Sequence, residues 1–425
     1  MGKYRVIIRA FTLRRDVGIA LILARVLEAQ GCDVVVASSR NFVDYLTKWK
    51  PHAVVINTNS QIEAVRRHAP DTALICLHGE GAQDLNTSYV KHICTQPGLY
   101  EKLDRVLVWG RLAREWFDEL LPGVDHDRKV RVCGNPRLDF IRFNPALRDG
   151  TARREGIGVT GRFHQLNYYD GRPTIFALIV REENLSAVVK QCEQFSLVVR
   201  AVRYLSENTD KRLSLRPHPL EAPENYRYLR KYAAPSIDID ESLDFIDWAA
   251  RQKVIMMPLS TSFLEAYLLD IPLVNISRLT PSPGRADELL SAMSPVVANV
   301  PNSYEELIEM LDSDLPGPPK TPEIDKHLDE VHDWNYGGSA VLRCAEAIIE
   351  AIQERSYPTG PRWPRALLDL EDEIRFRRIL RRQPLHPNFN FKTGYHKVPE
   401  HYQTIVGNIL ASENARANEE HNVDE

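Results

Sequence analysis

Two α/β domains of the doubly wound, Rossmann-like kind are what this sequence predicts, on three observations. Its 425 residues exceed the size at which a single core usually keeps growing, so two domains of ordinary size fit better than one. Short apolar runs alternate with stretches of helical period, the pattern of a parallel sheet covered by helices. The alternation breaks once, between Asn144 and Gly161, in a stretch with Pro145, several glycines and the charged run Arg148 to Glu155, which places the domain boundary there.

Taken in order, Tyr4 to Arg9 reads as a buried strand and Gly18 to Gln30 as a helix with Ile19, Ile22, Leu23, Val26 and Leu27 on one face. Strands follow at Asp33 to Ala37, Ala53 to Asn57, Thr72 to Leu77, Arg105 to Trp109 and Lys129 to Cys133, with helices at Gln61 to His68 and Arg111 to Leu121. After the break, a weak strand at Ile157 to Thr160 opens a second series. It continues with a helix around Leu185 to Leu205, strands Leu213 to Leu215 and Ser236 to Ile239, helix Leu243 to Ala250, strand Val254 to Met257, helix Ser262 to Leu269 and strand Leu273 to Ile276. Asp312 to Pro322 is a proline-rich connection, and Ser339 to Glu354 and Arg365 to Arg382 are helical. The expected organisation is therefore a first domain over 1–145, a linker over 146–160, a second domain over 161–358, a helical crossover over 359–410 and a disordered tail over 411–425.

Composition narrows the function classes. An apolar fraction of 43%, a charged fraction of 26% and a formal charge of −4 describe a globular enzyme and not a nucleic-acid binder. The apolar run Ile19 to Val26 is broken by Arg25 and falls short of the roughly 18 residues a membrane span needs. A cytoplasmic location is expected, with peripheral attachment to an inner membrane left open. Six dispersed cysteines without C-x-x-C spacing give neither a disulfide framework nor a zinc site, so metal binding through cysteine is not expected.

Three polar loops follow three apolar strands, and ligands in sheets of this kind bind beyond the carboxyl ends of the strands. In Arg216-Pro217-His218-Pro219, prolines on both sides of the histidine aim its ring, and Arg216 adds paired donors of phosphate geometry. The same residues also fit a rigid turn with an exposed histidine. Ser260-Thr261-Ser262 opens a helix whose amides and hydroxyls suit a phosphate, although Glu265, three beyond Ser262, also fits a capping box. Glu265 is alternatively a ligand for ribose hydroxyls. His78-Gly79-Glu80-Gly81 places two titratable groups between glycines that allow close approach to a ligand. Gly134-Asn135-Pro136-Arg137 ends the last strand of the first half, where its amides and Arg137 point to the same region or simply turn the chain. Thr12 to Asp16 contains paired arginines that read as a solvated surface. The basic segment Ile374 to Arg382 follows Glu371-Asp372-Glu373 and reads as a helix paired internally, with an anionic membrane surface as the other possibility.

The ordered set Gly79-Glu80-Gly81, His218-Pro219 and Ser260-Thr261 resembles bacterial sialyltransferases and related Kdo transferases, which use CMP-activated sugars. More broadly, residues 4 to 277, with His78 to Gly81, Val132 to Arg137 and Leu215 to Pro219, resemble surface carbohydrate biosynthesis proteins of capsule and O-antigen pathways. The resemblance implies a GT-B fold: two Rossmann-like domains with parallel sheets facing across a cleft, the donor mostly in the second, and C-terminal helices crossing back. It implies a metal-independent glycosyltransferase that moves a nonulosonic acid or Kdo-type sugar from a CMP-sugar donor to a glycan or glycolipid acceptor, without a cofactor. Glu80 would then be the base, His218 would stabilise the departing CMP phosphate, and Ser260 with Thr261 would bind it. Arg216, Pro219, Ser262, Glu265, Gly79, Gly81, Asn135 and Arg137 would line the substrate. Gly79 stands where that family often has a second acid. A second resemblance, to the CDP-polyol-dependent polyol-phosphate transferases of teichoic acid synthesis, would make His78 the base. The turn Cys133 to Pro136 is also similar to one in UDP-GlcNAc 2-epimerases, and a non-catalytic scaffold remains a further class.

Overall fold

The computed structural model describes residues 4–79, 89–148, 154–169, 171–180, 184–280, 296–355, 361–380 and 399–423. They divide into two compact units, Met1–Pro145 with Asp325–Glu425, and Ala146–Ile324.

The first unit is built on six parallel strands: β1 (Tyr4–Arg9), β2 (Cys32–Ala37), β3 (Ala53–Ile56), β4 (Ala73–Leu77), β5 (Arg105–Val108) and β6 (Val130–Val132). Their order is β2-β1-β3-β4-β5-β6. Every residue of β1 and β3 is buried, as expected for parallel strands covered on both faces. The chain passes from β1 to one side for β2 and to the other for β3 onward, so the loops leaving β1 and β3 diverge and leave a crevice at the carboxyl ends of those strands. Helix Val17–Ala29 covers the sheet with Ile22, Leu23, Val26 and Leu27 buried.

Helix Ala340–Gln353, two hundred residues on, belongs to this same unit and not to the second domain, where the sequence places it. Its anchor is Asp139, a buried carboxylate that accepts from Ser339 Oγ at 2.7 Å and from the Val341 amide at 2.9 Å. Burial pushes the Asp139 carboxyl above its ordinary value even against those bonds. Gly134 makes the docking possible, because at φ +83° a β-carbon would stand 2.6 Å from Arg343 Nη2 and 3.0 Å from Ala340 Cβ. Gly134→Ala is expected to cost about 1–3 kcal/mol from left-handed strain and crowding together, read as a lower urea midpoint; an unchanged midpoint would contradict this packing.

Where the sequence predicts a disordered tail from 411, helix Glu400–Val423 continues. Its buried residues Tyr402, Ile405 and Ile409 follow helical spacing but lie ahead of residue 411, so the tail alone carries no period. Tyr402 meets Phe140 edge-on at 5.0 Å. Helices Thr174–Val180, Tyr304–Asp312 and Pro322–His332 were not expected. Among the described residues no helix is long and apolar enough to cross a membrane.

The second unit carries five parallel strands: β7 (Ile157–Thr160), β8 (Leu213–Arg216), β9 (Asp238–Ile239), β10 (Val254–Met257) and β11 (Leu273–Asn275). They run in the order β11-β10-β7-β8-β9. The weak strand that the sequence places within its linker is thus the central strand of the sheet. Connections run outward on both sides of it, and the switch point lies between β7 and β10. Trp248, fully buried, donates its indole N–H to Ser214 Oγ at 2.9 Å.

Candidate functional site

In the first unit the crevice between the ends of β1 and β3 has an apolar floor of Ile8, Ile19, Leu23, Val55 and Leu77. Its polar lining is Arg9, Arg15, Asp16, Asn57, His78, Gly79 and Arg137. His78 comes directly after β4, half-buried, so the strand end aims it at the switch point. Arg137 arrives from the loop after β6. Of the expected residues here, His78, Gly79 and Arg137 therefore share one crevice; Glu80 and Gly81 lie outside the described residues.

Asp16 is the residue that sequence reasoning passed over. Its Oδ2 accepts from the Phe11 amide at 3.1 Å, the Thr12 amide at 2.8 Å and Thr12 Oγ1 at 3.2 Å, which folds the loop after β1 onto one carboxylate. Oδ1 accepts from Arg15 Nε at 3.0 Å. Burial alone would raise its pKa, but the charge of Arg15, the Thr12 amide and the charge of Arg137 outweigh it and hold the carboxyl below its usual range. Burial also brings Arg9 down to about 10, so it keeps its charge at neutral pH. The lining thus sets three guanidinium groups against one carboxylate. The only sequence signal for Asp16 was an acid following paired arginines at a strand end.

Asn135 serves the fold instead of a ligand, which corrects its expected place in the substrate lining. Its Oδ1 accepts from the Arg137 amide at 3.1 Å, capping the turn Pro136–Leu138, and its Nδ2 meets His332 Nδ1 at 3.0 Å. With both ends of the amide so engaged, its spacing beside Arg137 gave a misleading signal.

In the second unit, Thr160 is paired with Arg216 and Val159 with Met256. The three loops that follow β7, β8 and β10 therefore start at one level, and those of His218 and Ser260 flank the end of β7 about two strand spacings, or about 10 Å, apart. His218 begins a turn in which the Glu221 amide donates to its carbonyl at 2.9 Å, with Pro219 in the second position. The Leu220 amide donates to His218 Nδ1 at 3.2 Å, which leaves the ring hydrogen on Nε2 and makes that atom a donor. Pro219 shapes this turn.

Arg216 corrects an expectation. Its guanidinium is buried, with Nη1 2.5 Å from Asp240 Oδ2 and 2.8 Å from Ser242 Oγ, so it holds the ends of β8 and β9 together through a carboxylate that it shares with Arg251. The capping box also fails: Ser262 makes no side-chain cap, and helix Phe263–Leu268 is only six residues long. The Phe263 and Leu264 amides instead donate to the carbonyls of Ser260 and Thr261 at 3.1 and 3.3 Å. Glu265 is buried on that helix. Ser260 Oγ accepts from the Ser262 amide at 3.3 Å, and the hydroxyl-bearing turn Ser260 to Ser262 is half-buried beside the switch point.

Two further residues complete this end of the sheet. His164, in the loop after β7, is buried with its ring 6.0 Å from that of His218. Burial, with Arg162 nearby, lowers its pKa to about 4, so it is neutral at physiological pH. Glu221 is fully buried and ties the two loops together: it accepts from the Phe163 amide at 2.5 Å, the His218 amide at 3.1 Å and Tyr226 Oη at 2.7 Å. No spacing marked either one, because the strand before His164 is short and Glu221 lies outside any periodic segment.

A variant of the wall teichoic acid polymerase TagF, soaked with CDPG, matches this fold with a TM-score of 0.51 at 13% identity, over 83% of this chain and 89% of that one. The UDP-GlcNAc 2-epimerase of Methanocaldococcus jannaschii matches with 0.43 at 14% identity, over 76% and 98%. MnaA of S. aureus, in a structure with UDP, matches with 0.46 at 15% identity, over 85% and 100%. No protein-family model matches the chain, and no curated protein does. The polymerase likeness shows the fold: two Rossmann-like units on parallel sheets, as the GT-B expectation has it. It does not single out CMP-sugar sialyltransferases.

Proposed function

We propose that this protein is a transferase of surface-glycan synthesis that uses a cytidine-activated donor, and that this donor is a CDP-polyol. The observation that carries the reading is the position of His78 in the switch-point crevice of the first unit, among Arg15, Asp16 and Arg137. In this reading His78 takes the proton from an acceptor hydroxyl. The acceptor oxygen attacks the phosphorus that bears the polyol, the bond from that phosphorus to the bridging oxygen breaks, and CMP leaves. His218, through Nε2–H, and the hydroxyls of Ser260 and Thr261 receive the charge that develops on the departing phosphate. The TagF structure soaked with CDPG agrees with this class of donor.

The CMP-sugar reading, with Glu80 as base and a nonulosonic acid or Kdo-type sugar as cargo, uses the same two loops of the second unit, since CMP is the leaving group in both. A donor panel separates them: CDP-glycerol, CDP-ribitol, CMP-nonulosonates and CMP-Kdo, each with His78→Ala and Glu80→Gln. Consumption of a CDP-polyol that His78→Ala abolishes is the expected result. Consumption of a CMP-sugar that depends on Glu80 overturns it, as does turnover of UDP-GlcNAc without any acceptor, the behaviour of an epimerase.

Gly79 supplies a finer check. A β-carbon there would stand 3.7 Å from Asp16 Oδ1, an ordinary contact that leaves the fold intact but fills the space over the carboxylate. Gly79→Ala is expected to slow turnover about tenfold, about 1.4 kcal/mol in the barrier, at an unchanged melting temperature. Full activity would mean that substrate does not use this space.

A further inference from the structure

Helix Arg365–Leu380 lies on the first unit with its charged side inward. Asp372, buried, pairs with Arg40 at 2.7 Å; Asp369 accepts from Tyr45 Oη at 2.5 Å; Glu371 pairs with Lys48 at 2.7 Å; and Arg365 reaches Asp33 at 2.6 Å. Arg40 also stacks over Phe376 at 4.6 Å. The opposite side is apolar and faces outward: Trp363, Leu367, Leu370 and Ile374 are 48%, 50%, 55% and 44% exposed. Within the helix, spacings of three and four residues align Leu367, Leu370 and Ile374 in one stripe, and Trp363 precedes the helix start. Arg377 and Arg378 continue that stripe on its two flanks and Arg362 precedes it, all three exposed. Each carboxylate of the helix is engaged by a protein partner, Glu373 by Arg377 at 2.6 Å.

We infer that this stripe docks the protein on an anionic lipid bilayer, lying in the interface without crossing it. Amphipathic helices normally bury the apolar side. This one buries ion pairs and shows solvent a tryptophan, two leucines and an isoleucine flanked by Arg362, Arg378 and the Glu373-paired Arg377, a basic border that complements an acidic lipid surface. A tryptophan at one end suits the headgroup level. Trp363 is held in place, its amide donating to the Lys48 carbonyl at 3.0 Å and Lys48 Nζ lying 4.9 Å over its ring.

The test is co-sedimentation of the full chain with phosphatidylcholine vesicles, with and without phosphatidylglycerol, alongside light scattering for mass. Binding is expected only with phosphatidylglycerol, weakening as salt rises. The double change Leu367→Glu with Leu370→Glu, and separately Arg377→Glu with Arg378→Glu, should each lower the bound fraction about tenfold or more, at unchanged melting temperature because all four side chains are exposed. Failure of the unmodified chain to bind phosphatidylglycerol vesicles overturns the inference, and so does equal binding to neutral ones. A dimer that Leu370→Glu dissociates, without vesicle binding, overturns it in favour of a second copy of the chain. None of these outcomes depends on which donor the protein uses.

Discussion

Replacing His78 with alanine is expected to lower the turnover of a CDP-polyol by about 10² to 10⁴, the usual weight of a general base, while leaving nucleotide affinity within about twofold of the parent. The split follows from where the residues are. His78 lines the crevice of the first unit, and the loops assigned to the leaving nucleotide, at His218 and Ser260, belong to the second. Removing the base takes away an interaction made when the acceptor proton departs and nothing that the donor needs to bind. The fold should tolerate the change, since His78 is only half-buried and follows the end of β4. The measurement is a pair: steady-state rates with CDP-glycerol, and CMP affinity by calorimetry. A rate loss below about tenfold would remove His78 from the proton transfer, and an equal loss of CMP affinity would recast it as a donor ligand.

The sequence revealed the sheets far better than the chemistry at their ends. Parallel strands buried on both faces appear as apolar runs whatever their neighbours do, so the runs at Tyr4 to Arg9, Ala53 to Asn57 and Val254 to Met257 could be placed within a residue or so of β1, β3 and β10. Strand order is a long-range property, and it alone showed that β7 is central and that its loop, with His164, belongs to the site. The same limit explains Arg216 and Asn135. Each has the residue type and the position that anion binding asks for, but their partners, Asp240 and His332, are 24 and 197 residues away. The internal pairing read for the basic segment from Ile374 is present, Arg375 with Asp44 and Arg377 with Glu373, but apolar residues occur on both sides of the Arg365–Leu380 helix, Leu368 and Phe376 inward and Leu367 and Leu370 outward, so its pattern did not tell which face would be buried.

Glu221→Ala is the second change with a large expected effect, and here the loss is one of stability as well as binding. A carboxylate only accepts hydrogen bonds, and Glu221 satisfies three donors at once: two backbone amides, of Phe163 and His218, and the Tyr226 hydroxyl. Each buried donor left without an acceptor costs about 1–3 kcal/mol. Water entering the vacated space would recover part of that, which puts the net loss at about 3–5 kcal/mol. Urea unfolding should show it as a lower midpoint. The two amides lie in the loops after β7 and β8, the first of them beside the switch point, so their release should also weaken CMP binding by tenfold or more, about 1.4 kcal/mol per decade. Glu221→Gln discriminates position from mere volume. It keeps the shape and one acceptor oxygen but turns an N–H₂ either toward the Phe163 amide or toward the His218 amide and Tyr226 hydroxyl, so it should fall between parent and alanine in both measurements. If glutamine matched the parent in CMP affinity and in unfolding, the carboxylate would not be what sets the two loops, and the placement of His218 would need another cause.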